Sequence, residues 1–223
     1  MKKLFYSLAT LSLILTSNAT TLKAENFDTA LKHEVRMNVG VLPLVHVHYW
    51  GDADYIPYPG VEDWYNNLYQ GDRVYMPSLA VDYNFRPFNW LSVGATVAYT
   101  MNYRNSYSIY DQTLAYRYSE HYVTIMPRAT FNWFRRDMVR LYSSFALGVV
   151  FEVDRTRAFE DNSYHSGDIH YGRSGSWKST ENYIGVDVVA LGLSVGKTWF
   201  GFAEVGAGTN GVFKIGAGYR FGK

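Results

Sequence analysis

Two side chains near the middle of the chain have the types that nucleophilic catalysis requires. Ser119 and His121 are separated by one residue, so in an extended strand their side chains lie on the same face. A histidine that accepts the proton of a serine hydroxyl makes that serine a nucleophile. No acid that could orient the imidazole is evident on that face, and a hydroxyl beside an imidazole is also common by chance at a polar strand end. Ser119 and His121 are therefore candidates, and we expect no enzymatic activity.

Histidines and acids elsewhere suggest no metal site or cofactor. His46 and His48 have strand spacing and could place two ligands on one side, but no third ligand can be assigned. Asp52 and Asp54 lie in a polar segment that lacks the spacing of a calcium loop. We therefore expect neither a metal nor a cofactor.

Ten other charged residues share one face of segments in which apolar and polar residues alternate. In the segment that starts at Glu34, Val35, Met37 and Val39 point one way, whereas Glu34 and Arg36 point the other. The ten residues are Glu34, Arg36, Asp82, Arg128, Arg140, Glu152, Asp187, Glu204, Lys214 and Arg220. One face of the sheet is thus uncharged, and the other holds five acids and five bases. This pattern is typical of a barrel standing in lipid, apolar outside and polar within.

The charges should pair with one another, because an eight-stranded barrel is only wide enough to be filled by side chains. An unpaired charge in that interior would cost about 3–5 kcal/mol. The expected contacts are Glu204 with Lys214, Glu34 and Arg36 with Arg220, and Asp82 between the facing residues Arg128 and Arg140. We expect a sealed polar plug; a path for protons or ions is the alternative.

The elements that would position these charges are eight strands. The alternation and the turn residues predict strands near 34–42, 75–85, 90–101, 121–132, 138–152, 183–192, 199–207 and 212–221. The segments 43–74, 102–120 and 153–182 are long, whereas 86–89, 133–137 and 193–198 are short. Short periplasmic turns and longer external loops are typical of an up-and-down transmembrane β-barrel. Pro127 lies inside the fourth strand, where it predicts a bulge.

The predicted external loops are rich in aromatic residues. These include Tyr55, Tyr58, Trp64, Tyr65, Tyr69 and Trp177. Surface aromatics among polar residues could stack on an extracellular glycan or contact a protein. They could equally pack with each other and cap the barrel.

The start of the chain predicts export. Lys2 and Lys3 precede a short apolar run, and small residues follow, as in a secretory signal peptide. Cleavage after Ala19 or Ala24 would leave one barrel domain, which we take as 25–223 after a signal peptide over 1–24. The chain has 21 basic and 20 acidic residues and no cysteine, so we expect neither nucleic-acid binding nor disulfides. The predicted location is the outer membrane of the cell.

The end of the chain resembles the C-terminal signal of Gram-negative outer-membrane barrels. Lys214, Gly216, Tyr219 and Phe221 match its polar, glycine and aromatic positions, although two residues follow Phe221. The whole pattern is similar to the eight-stranded barrels of the OmpA/OmpX type. The resemblance implies an all-β, antiparallel barrel that contacts the barrel-assembly machinery and outer-membrane lipid, including lipopolysaccharide. It also implies a non-enzymatic, structural or adhesion-like role through the external loops.

Two other classes remain open at this point. Some eight-stranded outer-membrane lipid deacylases place a histidine and then a serine on the lipid-facing side, whereas Ser119 and His121 come in the reverse order. A soluble calycin-like carrier would instead bury the apolar face around a ligand cavity. A lipid-facing set of serine, histidine and acid would favour the enzyme, and an inward apolar face would favour the carrier.

Overall fold

The computed structural model describes residues 31–46, 62–63, 68–108, 112–136, 138–159 and 175–222. Within these residues the chain is all-β and forms one antiparallel sheet. The strands are β1 (His33–Val41), β2 (Glu62–Asp63), β3 (Leu68–Tyr75), β4 (Ser78–Phe85), β5 (Leu91–Ser108), β6 (Leu114–Arg136), β7 (Val139–Ala158), β8 (Gly175–Gly196), β9 (Trp199–Gly208) and β10 (Phe213–Phe221). No helix in the described ranges is long and apolar enough to cross a bilayer.

The strands pair in the order β2-β3-β5-β4-β1-β10-β9-β8-β7-β6, and β5 also pairs with β6. β3 and β4 behave as two halves of one long strand, interrupted at Met76 and Pro77. β4 pairs with the first half of β5, and β3 pairs with the second half. The short connections 86–90 and 197–198 lie at one end of the sheet, where β6 also ends at Arg136 and β7 begins at Val139; we call it the short-turn end. The opposite end of the sheet is called the long-loop end.

The two faces of the sheet differ sharply in polarity and in exposure. Arg36 and Asp82 are fully buried, whereas Met37 is 66% exposed and Ile184 is 75% exposed. The alternation seen in the sequence produces this contrast, because successive side chains of a strand point to opposite faces. The arrangement is the inverse of the usual one, in which apolar side chains are buried and charged ones are exposed. We call the two sides the buried face and the exposed face.

β8 keeps its apolar residues on the exposed face by changing parity. Val186 and Val188 are exposed at even positions, and Leu191 and Leu193 are exposed at odd positions. The register with β9 shifts between Val189 and Leu191. This irregularity is a β-bulge, which adds one residue and restores the odd parity for the rest of the strand.

The strands extend further than the sequence predicts, so the long segments 102–120 and 153–182 are wrong as loops over much of their length. β5 continues to Ser108, β6 already starts at Leu114, and β7 continues to Ala158. β3 occupies part of the predicted loop 43–74. These extensions are polar on both faces and lack apolar alternation, but tyrosine, threonine and valine still favour extended backbone.

The bulge predicted at Pro127 is also wrong. Pro127 is opposite Ala95 in an unbroken register with β5. On the β7 side the register is the same before and after it, with Ile125 opposite Val149 and Arg128 opposite Ala146. The ladder with β7 leaves out the proline, which has no N–H to donate, and resumes without a shift.

Candidate functional site

The buried face holds all ten of the charged side chains that the alternation picks out. Each is at most 6% exposed, and they are contributed by seven of the strands: Glu34 and Arg36 (β1), Asp82 (β4), Arg128 (β6), Arg140 and Glu152 (β7), Asp187 (β8), Glu204 (β9), Lys214 and Arg220 (β10). We call this set the interior charge network. The strands place these residues at two-residue spacing, so their side chains converge on one side.

Glu204 is at the centre of the network. Its Oε1 accepts hydrogen bonds from Arg128 at 2.8 Å, from Arg36 at 3.1 Å and from the hydroxyl of Tyr142 at 2.8 Å. The carboxylate is fully buried, so these contacts replace the water that an exposed carboxylate would bind. The ring of Tyr142 packs against Gly192, where a Cβ would collide with the ring.

Asp82 is the second carboxylate shared between guanidinium groups. It lies 3.1 Å from Arg36 and 3.3 Å from Arg128. Asn38 donates a 3.2 Å hydrogen bond to the same oxygen, Oδ2. Thr96 donates a 2.6 Å hydrogen bond to the other oxygen, Oδ1. Arg36 and Arg128 therefore share two buried acids, Asp82 and Glu204, and Arg36 also lies 3.6 Å from Glu34.

Lys214 connects the centre of the network to β8. It is directly opposite Glu204 in the β9–β10 ladder, as the hairpin register predicts. Its Nζ nevertheless forms its shorter ion pair with Asp187 and lies 3.8 Å from Glu204. Asp187 is thus the main partner of Lys214, and the Glu204 contact is secondary.

A second group of charges lies towards the short-turn end. Glu34 accepts hydrogen bonds from Arg140 and from Arg220, each at 2.9 Å. Arg220 also donates to the carbonyl oxygens of Gly196 and Lys197 at 2.8 and 2.9 Å. These bonds tie the last strand to the first strand and to the turn between β8 and β9.

Arg128 and Arg140 do not face each other, so the expected arrangement with Asp82 between them is wrong. Arg128 is opposite Ala146, and Arg140 is opposite Arg135. The error comes from the turn: β6 continues to Arg136, whereas the sequence predicts a turn over 133–137. The later turn shifts Arg128 towards the middle of the sheet and leaves Arg140 near the short-turn end.

A short segment after β1 packs onto the buried face at the long-loop end. Val45 is buried against Tyr122 and Val150. The ring of His46 is within hydrogen-bond distance of Thr100 and of Asn102, each at 3.3 Å. Burial lowers the pKa of His46 below its usual value. The segment therefore covers the network with an apolar contact and a buried imidazole.

The two catalytic candidates are bonded to other groups. His121 Nδ1 is 2.8 Å from the hydroxyl of Tyr99, and Ser119 donates to the backbone carbonyl of Arg155 at 3.4 Å. Both are partly exposed, on the side of β6 opposite to the buried Tyr122. Their hydrogen bonds do not join the serine to the imidazole, so the described geometry does not activate Ser119.

Several buried polar residues were not identified from the sequence. Arg86 and Arg135 are buried, although both were assigned to turns. Tyr142 and Glu120 lie on the buried face at even positions, and parity within β6 and β7 could have indicated them. Glu120 forms a 3.2 Å ion pair with Arg73.

The terminal and loop positions are only partly described. Tyr219 and Phe221 lie on the exposed face, whereas Lys214 is buried, and Trp177 is exposed. Outside the described residues, or with undescribed side chains, are the predicted signal peptide 1–24 and the following positions: His48, Asp52, Asp54, Tyr55, Tyr58, Trp64, Tyr65 and Tyr69. Among the described residues, no group of three or more histidines and acids could hold a metal ion.

The interior charge network leaves little space for a ligand near the short-turn end, whereas a cavity of about 520 Å³ lies at the long-loop end, lined by residues that include Val41, Leu44, Tyr75, Met76 and Val212. A cavity of about 10 Å³ lies between Glu34, Arg140 and Arg220, which is room for at most one water molecule. The site can therefore stabilise and fill the buried face.

Comparison with known proteins adds no identification: no protein-family model matches the chain, and no curated protein is significantly similar to it.

Proposed function

We propose that this chain is a small outer-membrane protein, a transmembrane β-barrel with a sealed polar interior. Its eight strands are β1, β3 and β4 taken as one strand, and β5 to β10, whereas the two-residue β2 is not counted. The observation that carries the proposal is the inverted polarity of the sheet. The interior charge network is buried, and the opposite face exposes residues such as Met37, Ile184 and Ile215. In water this face would be a large apolar patch, whereas in a bilayer it would meet hydrocarbon.

Two sets of contacts support closure of the sheet. β6, at one end of the strand order, also pairs with β5, which lies near the other end. Side chains also meet across strands that are far apart in the ladder, since Arg140 of β7 binds Glu34 of β1, and Arg128 of β6 binds Glu204 of β9. A closed sheet has no free edge, and all backbone groups of a membrane-spanning sheet must be paired in this way.

The sealed interior favours a structural or surface role over transport. The network fills the width of an eight-stranded barrel, and the Val45–His46 segment covers it at the long-loop end. Contacts with partners then fall to the extracellular side, where Trp177 is exposed; the sequence predicts it in a loop, but it lies in the extension of β8. An extracellular glycan or protein is the proposed partner class, with the assembly machinery and outer-membrane lipid as partners of the barrel itself.

The rival classes receive less support. A lipid-modifying enzyme would need an activated serine, and Ser119 and His121 form their hydrogen bonds with other groups. A soluble calycin-like carrier would need apolar side chains around an inner cavity, and charged groups occupy that side instead.

Gel migration and conductance test this proposal together. The purified protein in mild detergent should migrate as a compact form before boiling and as a slower form after boiling. In planar bilayers it should give no large, steady single-channel currents. Identical migration in both gel lanes would contradict the barrel, and large steady currents would contradict the sealed interior.

A further inference from the structure

Four exposed cations lie together on the exposed face at the long-loop end. Arg117 of β6 is directly opposite Arg157 of β7. Arg155 of β7 is directly opposite Lys178 of β8. Opposite Cβ atoms of an antiparallel pair are about 4.5–5.5 Å apart, and the two rows are two residues apart along β7. We call these four residues the basic cluster.

The acids that the structure describes do not neutralise the cations of the basic cluster. Within the described residues none of the four forms a salt bridge, and Arg117 donates a 3.0 Å hydrogen bond to Asn105 instead. Like charges placed directly opposite each other destabilise a sheet. A bound anion would relieve this repulsion in both rows.

The acids of the same strand segments are on the other face. Glu120, Asp154 and Glu181 alternate with the cations and point to the side of the interior charge network. Along the described parts of 117–123, 151–157 and 176–182, the positions that share the face of the basic cluster carry no aspartate or glutamate. The exposed face at the long-loop ends of β6, β7 and β8 is therefore positively charged along these positions.

An apolar surface begins immediately below the basic cluster. Phe151 and Ile125 are exposed on the same face, and Ile184 lies on the neighbouring strand. Arg155 is four residues beyond Phe151 on β7, a distance of about 13 Å along the strand. A ligand that fits both surfaces has an anionic head and hydrocarbon chains.

We propose that the basic cluster binds the phosphate groups of an anionic lipid of the outer leaflet, a proposal that rests on the membrane location proposed above. The exposed residues below it contact the acyl chains of the same lipid. Cations near a charged lipid surface strengthen attachment by roughly fivefold each, so three of them contribute on the order of a hundredfold. The attraction weakens as salt screens it.

The test measures binding of a diphosphorylated glucosamine lipid to the full-length mature protein in detergent micelles. The variant Arg155→Gln, Arg157→Gln, Lys178→Gln removes three of the four cations from an exposed surface. We expect its affinity to fall on the order of a hundredfold, and the wild-type protein to bind the dephosphorylated lipid just as weakly. Raising the salt concentration should reduce only the binding of the phosphorylated lipid to the wild-type protein.

A matched control removes three exposed cations at the short-turn end. The variant Lys32→Gln, Arg136→Gln, Lys197→Gln makes the same change in net charge and should keep wild-type affinity. Equal loss in both variants would show that net charge alone matters and would overturn the proposal. Equal affinity of the wild-type protein for inorganic polyphosphate or an acidic peptide would contradict lipid as the ligand.

Gel migration of each variant separates the two proposals. Variants that shift on boiling but bind the phosphorylated lipid as well as the wild-type protein would overturn the lipid site and leave the barrel standing. A wild-type protein that does not shift on boiling would overturn the barrel, and the lipid site with it.

Discussion

The interior charge network should be strongly coupled, and Glu204 is the place to measure this. Glu204→Gln keeps the shape of the side chain but removes the charge that Arg36 and Arg128 share. Asp82 then faces both guanidinium groups alone. Leaving a buried charge without its partner costs about 3–5 kcal/mol, and we expect the free energy of unfolding to fall by that amount.

The second change restores the balance of charge. Arg128→Met alone leaves Glu204 and Asp82 with one guanidinium fewer, so it should also be costly. In the double variant the missing acid and the missing base compensate. Its loss should be smaller than the sum of the single losses by about 0.5–3 kcal/mol, the range of couplings between residues in one ion-pair network.

The assay is urea unfolding of the protein in lipid vesicles, followed by tryptophan fluorescence. The control cycle combines Arg128→Met with Glu34→Gln, which makes the same acid-to-amide change at a buried site that binds Arg140 and Arg220, lies 3.6 Å from Arg36 and forms no ion pair with Arg128. Its coupling should be smaller than that of Glu204 with Arg128, because Glu34 and Arg128 are linked only through other residues. Additive losses for Glu204 and Arg128 would refute the pairing on which the network depends.

Three further outcomes are expected. Phe221→Ala should reduce the surface yield, measured by labelling of intact cells, more than Phe213→Ala does. Both side chains are exposed, but only Phe221 matches the predicted terminal signal, and equal yields would exclude recognition of that signal. Lys214→Met and Asp187→Asn should couple in urea unfolding because they form an ion pair, and additivity would contradict that contact. The pKa of His46 is lowered in the folded state, so the unfolded chain takes up a proton at this residue at a higher pH than the folded protein does. Wild-type stability relative to His46→Gln should therefore fall as the pH drops below 6.5. A constant difference would contradict burial of a neutral ring.

The sequence predicts the two faces of the sheet well, because the side-chain period of a strand is two. Arg36 and Arg220 lie at opposite ends of the chain, yet parity alone assigns both to the polar side, and both are buried there. The even positions of the apolar residues of β8 up to Val188 are also visible in the sequence. The bulge that follows, which returns these residues to odd positions, is not.

The partners within the network depend on information that parity does not contain. A turn placed a few residues too early paired Arg128 with Arg140, whereas the register places Arg128 opposite Ala146. The sequence pattern does not predict the strand ends at the long-loop end, because residues around Arg117 and Lys178 are polar on both faces. Backbone pairing with neighbouring strands extends them, and a single-sequence pattern does not report such long-range pairing.

The central claim is that the exposed face meets lipid, and spin labels can test it directly. The chain has no cysteine, so single cysteines at Val188 and Trp177 can each carry one label. Val188 lies within the apolar part of β8, and Trp177 lies in its polar extension. In protein reconstituted into vesicles, the label at Val188 should be accessible to oxygen and protected from a water-soluble nickel chelate, whereas the label at Trp177 should show the reverse. Equal access of the nickel chelate to both positions would contradict the membrane-spanning barrel.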